Sequence, residues 1–254
     1  MPAVIQRRGT GAPPRRAGCP FEGSLIAPGK LRREDVLTMK RVLCCALLLA
    51  FVLPARLLAD QEPTYHGPVS SAENAFVGSM TADLMQRYPT ASDAEKAGFM
   101  RYTAEDETGA ISYVNVHQWQ SGDVHHPSQL WYDKNGLLLG ADYSVLVSTS
   151  AGRPQLWGVN PGRWVEFDGH VHWVTKDPAT GQMSYDHWTG DAAFSAAGGT
   201  PEHPRATTLV TMKKVGNAND VVTIFHFPSI WDLIVWVKPN PQGAFAGTNP
   251  TVTP

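Results

Sequence analysis

Residues 166–174 read EFDGHVHWV. Glu166, Asp168, His170 and His172 share one parity, while Val165, Phe167, Val171 and Trp173 share the other. In one continuous strand, whose side chains alternate between faces, the polar set projects from one face and the apolar set is buried. Asp168-Gly169 is also a hairpin turn signal, and a turn there would separate the acidic pair from the histidines. Whether the stretch is one strand or two decides which residues share a face, and with it the layout of the sheet. The sequence leaves both readings open.

Working outward, the chain has period-two patterning from Ile111, as in ISYVNVHQW. LWYDKNGLLLGADYSVLV carries an Asn135-Gly136 turn between apolar runs, and WVTKDPATGQMSYDHW carries Asp177-Pro178 to Gly181 between two more. Residues 207–213, 221–227 and 231–237 read as further strands. Upstream, Ser70-Ser71-Ala72-Glu73 has capping-box spacing, and Phe76, Val77, Met80, Leu84, Met85 and Tyr88 recur at helical intervals before Pro89. Ser92-Asp93-Ala94-Glu95 reads as a second capping box opening a shorter helix, with Gly98 as its stop. The expected fold is a single α+β domain with two N-terminal helices packed on an antiparallel β-sheet.

The stretch MKRVLCCALLLAFVLPARLLADQ, from Met39, has the parts of a secretory signal peptide. Lys40 and Arg41 form its basic start, Val42 to Leu53 its apolar run, and Leu57-Leu58-Ala59 its cleavage site. The apolar run is shorter than the roughly 20 residues a membrane span needs. Residues 39–59 are therefore read as a signal peptide, residues 1–38 as a leader upstream of the true start or a disordered one, and residues 60–254 as one exported bacterial domain, secreted or periplasmic. Residues 1–59 hold 10 Lys and Arg against 3 Asp and Glu, so the remainder holds 11 against 20 and is acidic, at −9. That charge disfavours nucleic acid and anionic lipid as partners, since both require a basic patch. All three cysteines precede residue 60, which removes disulfides, thiol catalysis and cysteine-type zinc sites from the mature domain.

The C-terminal IWDLIVWVKPNPQGAFAGTNPTV resembles the closing motif of a family of uncharacterised secreted bacterial proteins, D-L-H-V-W-L-W-x-x-N-P-x-G-x-F-A-x-x-N-P-x-V. Asp232, Leu233, Val235, Trp236, Asn240, Pro241, Gly243, Phe245, Ala246, Asn249, Pro250 and Val252 carry the match. RYPTASDAEKAGF and LWYDKNGLLLGADYSV are similar to the same family. This chain has Ile234 and Ser112 where the family pattern has histidine. The resemblance implies export and one fold unit, with no activity attached.

For chemistry, His170 and His172 at i, i+2 stand roughly 7 Å apart along a strand, within reach of one ion bound at about 2.1 Å by each imidazole. Asp177 in the following turn and His187 on the next strand complete a candidate metal set, for zinc or copper. Glu166, Trp173 and His187 form a candidate ligand-binding set on the same strands. The competing reading is a solvated strand face. His125 and His126, with His117, make a second cluster in the loop GDVHHPSQ, and Glu105-Asp106-Glu107 reads as a solvated loop without EF-hand spacing. The chain has no G-x-S-x-G, H-E-x-x-H or P-loop motif. Three functions remain: a protein binding a small ligand or transition metal through a His-bearing sheet face, a metal-dependent hydrolase or oxidoreductase with Glu166 or Asp186 as base, and a structural or envelope-interaction protein.

Overall fold

The computed structural model describes residues 63–119 and 123–254. The leader and signal-peptide readings fall on residues 1–59, outside the described residues.

Among the described residues nine strands make two antiparallel sheets. The first has six strands in the order β1 (Met100–Arg101), β2 (Ile111–Val114), β3 (Gln129–Tyr132), β4 (Leu138–Leu146), β9 (Ile230–Trp236), β5 (Val165–Phe167). The second has three, β7 (Met183–Gly190), β6 (His170–Lys176) and β8 (Val221–Phe227), with β6 in the centre. Asp168-Gly169 lies at the divide. EFDGHVHWV is two strands, with Glu166 in the six-stranded sheet and the histidines in the other.

This corrects the expected α+β arrangement of two N-terminal helices on one sheet. Sheet dominates, it is split in two, and the helices are mostly short separate pieces. The long one is α1 (Ser71–Arg87), followed by α2 (Ala91–Lys96). Two others, α3 (Asp191–Ala196) and α4 (Ala206–Thr211), fall late in the chain between β7 and β8. The expected strand at 207–213 falls instead on α4 and the turn after it, with Leu209 a single buried anchor packed with Phe194, Val171 and Trp173 rather than one of an alternating row. The second capping box also shifts: the cap of α2 is Thr90, whose side chain accepts from Asp93 N.

Local chemistry accounts for the elements. Ser70 Oγ accepts from Glu73 N at 3.2 Å, and Glu73 Oε2 accepts from Ser70 N at 2.7 Å, so two otherwise orphaned donors start α1. Its Phe76, Met80 and Leu84 then pack with Tyr113, Leu130, Tyr132, Tyr143 and Leu233 on the outer face of the six-stranded sheet. On the inner face Val114 and Ile230 meet Val174, Phe225 and Phe227 of the second sheet. The far side of that sheet is covered by Phe194 and Leu209 of α3 and α4. Strands covered on both faces lose the alternation of a half-exposed sheet, and β4 is accordingly buried over its first seven residues.

The C-terminal motif is fixed onto this frame. Trp236 Nε1 donates to Ala246 O at 2.6 Å, and Phe245 is buried near Phe76, with ring centroids 6.5 Å apart. Gly140, where β4 crosses β9, has no room for a side chain: a Cβ there would lie 2.7 Å from Val235 O and 2.8 Å from the Trp131 ring. Gly140→Ala is expected to destabilise the fold by about 1–3 kcal/mol, as overpacking does. An unchanged denaturation midpoint would show that the strands can part.

Candidate functional site

β6 is the central strand of its sheet and is buried at His170, Val171, Trp173 and Val174. Val171 and Trp173 point toward α3 and α4, while His170 and His172 point toward the six-stranded sheet. Cross-strand pairing selects their walls: His170 pairs with Phe227 and His172 with Phe225, and each imidazole stacks on its partner, with centroids at 4.5 and 5.4 Å. Tyr102 meets His172 edge-on at 5.0 Å, and Trp188 of β7 meets His170 at 5.9 Å. His170 is 6% exposed, so the solvated-face reading is corrected as well: this face lies between two sheets.

The two Nε2 atoms are 3.0 Å apart. His170 Nδ1 lies 2.7 Å from Asp168 O. A carbonyl can only accept, so Nδ1 carries the proton and the Nε2 of neutral His170 presents a lone pair to His172. Burial pushes the His170 imidazole below its usual range. Burial and then the neighbouring His170 push His172 down to about 3, against a contribution from the His187 backbone. Both rings are neutral at physiological pH.

The rest of the expected metal set is not assembled. His187 pairs in register with Trp173 and therefore shares its face, opposite to His170 and His172, stacking on the indole at 5.6 Å. Asp177 stays in the β6–β7 turn, where its Oδ1 accepts from Ala179 N and Thr180 N. Among the described residues no group of three or more His, Cys, Asp or Glu could hold a metal. The ligand set is divided too. Trp173 and His187, with Asp177, line an open cleft of about 530 Å³ that also takes in Lys176 and Lys214. Glu166 is remote from it, on β5 opposite Trp231. Asp186, the other candidate base, is used structurally, accepting from Ala104 N at 3.0 Å. His125 and His126 are held by different carboxylates, Asp83 at 3.2 Å and Asp123 at 2.9 Å.

Sequence reasoning missed a polar cluster on the inner face of the six-stranded sheet. Asp142 of β4 faces Ile234, and Ser144 faces Asp232 of β9, which sets the two carboxyls diagonally on one face. They are 4% and 3% exposed. Ser144 Oγ donates to Asp232 Oδ1 at 2.8 Å, Trp131 Nε1 donates to Asp142 Oδ2 at 3.0 Å, and Ser128 Oγ bonds Ser144 Oγ. Tyr102, whose ring edge meets His172, donates its hydroxyl to Gln129, the register partner of Asp142. Burial raises both acids: Asp232 to about 7, and Asp142 well above the usual carboxylate range, with the Asp232 charge adding to the effect. The signal was in the sequence, as a single Asp interrupting each of two apolar strands, ADYSVLV and IWDLIVW.

No protein-family model, curated protein or solved structure matches the chain. Among the described residues no helix is long and apolar enough to cross a membrane.

Proposed function

We propose that the chain is an exported binding protein that holds a transition-metal ion at the His170–His172 pair between its two sheets. One observation carries this reading: two neutral imidazoles, His170 buried and His172 partly so, bring their Nε2 atoms to 3.0 Å of each other, and the Asp168 carbonyl orients the first of them. Metal-ligating histidines use such a second partner to fix the tautomer that leaves the ligating nitrogen free. Export is supported by the signal-peptide pattern and by the C-terminal resemblance.

Calorimetric titration of transition-metal ions into wild type, His170→Ala, His172→Ala and Val171→Ala tests it. Wild type and Val171→Ala are expected to bind one ion per chain, and each histidine variant to lose at least tenfold in affinity, since each removes an inner-sphere ligand. Equal, weak binding by all four proteins would end the reading.

A second reading takes the cleft beside α4. The stacked Trp173 and His187, with Lys176 and Lys214 alongside, offer an aromatic wall and cations to a small anionic or polar ligand. Thermal-shift screening, with hits required to disappear in Trp173→Leu, separates it from the first.

A further inference from the structure

Resting on the second reading, of the cleft beside α4 as a ligand site, we infer that this cleft hydrolyses small carboxylic esters, with Ser184 as the nucleophile and His187 as its base. Ser184 Oγ and His187 Nε2 are 2.9 Å apart. With the ring proton on Nδ1 the hydroxyl donates to Nε2, which is how a serine nucleophile meets the group that takes its proton. Both residues line the open cleft of about 530 Å³, and Ser184 is exposed.

This contact is not what a regular strand provides. Ser184 and His187 stand three residues apart on β7, and alternation would send them to opposite faces. They share a face because β7 carries an extra residue there: His187 pairs with Trp173 and Ser184 with Thr175, so three steps of β7 match two of β6. Asp186, inside that interval, has φ +63°, in the left-handed region. Its conformation is held from outside the strand, where its carboxylate accepts from Ala104 N at 3.0 Å and its own N–H donates to Tyr102 O at 3.4 Å. Bulges of this kind re-aim a side chain and recur beside active sites, and backbone strained at a non-glycine residue clusters where function uses it.

Trp173 stacks on the His187 ring, with the planes 15° apart, and fixes the orientation of the base. Lys176 and Lys214 line the cleft together with Asp177 and Asp220, and Asp177 Oδ1 is engaged by Ala179 N and Thr180 N of its own turn. The two ammonium groups supply the positive charge that a developing oxyanion requires. In the first step Ser184 Oγ bonds to the ester carbonyl carbon and its proton passes to His187 Nε2; the carbon–oxygen bond to the alcohol then breaks, and the alcohol leaves with that proton. In the second, water attacks the acyl-serine and its proton passes through His187 Nε2 back to Ser184 Oγ as the carboxylic acid departs. Water is the co-reactant.

The experiment combines labelling by a fluorophosphonate, located by mass spectrometry, with hydrolysis of p-nitrophenyl acetate, on variants shown by thermal melts to be folded. Wild type is expected to be labelled at Ser184 and to hydrolyse the ester. Ser184→Ala should lose both, and His187→Gln should lose at least about a hundredfold in kcat, the usual contribution of a general base. Removing both cations, Lys176→Met with Lys214→Met, should lower kcat by at least about tenfold. Asp186 is a positioning residue: Asp186→Asn tolerates the left-handed backbone and keeps an acceptor for Ala104 N, so it should retain kcat, whereas the β-branched Asp186→Val should lower kcat with KM little changed. Labelling away from Ser184, or hydrolysis that persists in Ser184→Ala or His187→Gln, would overturn the assignment. Ligands found by thermal shift and lost in Trp173→Leu, with no labelling of Ser184, would overturn the hydrolysis and leave the ligand cleft standing. Neither ligands nor labelling would overturn both.

Discussion

Arg163→Met should destabilise the protein by about 3–5 kcal/mol, the usual cost of removing one partner of a buried ion pair. Arg163 and Glu73 are 5% and 1% exposed. Arg163 Nε donates to Glu73 Oε1 at 2.6 Å, and its terminal nitrogen donates to Gly67 O at 3.0 Å. The guanidinium lies over the rings of Phe245 and Tyr65, at 4.6 and 4.8 Å from their centroids. Glu73 also accepts from Ser70 N and Asn160 N. One pair therefore joins the start of α1, the loop before β5 and the C-terminal motif. Without the arginine, a carboxylate stays buried beside two backbone donors and no cation. The doubly neutralised Glu73→Gln, Arg163→Met protein should recover part of the loss, which a double-mutant cycle by urea denaturation measures. A single variant within 1 kcal/mol of wild type would show the pair to be dispensable.

The same pair sets an acid limit. Burial pushes the Glu73 carboxyl up, but Arg163 and then the two backbone donors outweigh it and hold the group at about 2, below the ordinary 4.5. A depressed folded pKa contributes stability that is full above the unfolded value and is lost as pH falls through the folded one. Wild type should therefore lose stability between about pH 4.5 and pH 2, and Arg163→Met should show little of that slope.

At the alkaline end the buried acids act in the opposite sense. Asp232 is raised to about 7 from 3.8, and Asp142 is raised also, so the fold holds them protonated where the unfolded chain would ionise them. A raised folded pKa contributes stability that is full below about pH 4 and is lost as pH rises through about 7. At 1.36 kcal/mol per unit, the loss for Asp232 is on the order of 4 kcal/mol. Asp232→Asn keeps a neutral acceptor for Ser144 Oγ and should flatten this limb, making the variant more stable than wild type at pH 8 and close to it at pH 4. The other groups facing the pair, Tyr102, Gln129, Trp131, Ser128 and Ser144, do not titrate between those limits. Unfolding midpoints followed from pH 4 to 8 check this. A variant that tracks wild type at every pH would show that the acids are ionised in the fold.

Short-range signals were legible wherever one segment contains all the groups involved. The Ser70–Glu73 capping box, the Asn135-Gly136 turn with Gly136 at φ +75° and the shared face of His170 and His172 are each decided within a few residues. The strand parity of His170, Val171, His172 and Trp173 also holds, because β6 is uninterrupted across them. Asp168-Gly169 had two legible meanings, and only the competition between sheets for the flanking strands chose one. The same limit hid the place of His187. Its parity relative to His170 depends on the β6–β7 register, which puts it behind Trp173.

By itself the sequence determined the acidity of the segment after residue 59, the absence of cysteine from it, the cap of α1, the principal turns and the pairing of two histidines on one face. These follow from composition and from backbone geometry over a few residues. Tertiary structure alone decided that the histidine face is covered by a second sheet, that strands split into two sheets, and that Asp142 and Asp232 share a site. Burial and contacts such as that of Ser144 with Asp232 depend on which faces are covered by distant elements, and one-residue changes of register exchange those faces.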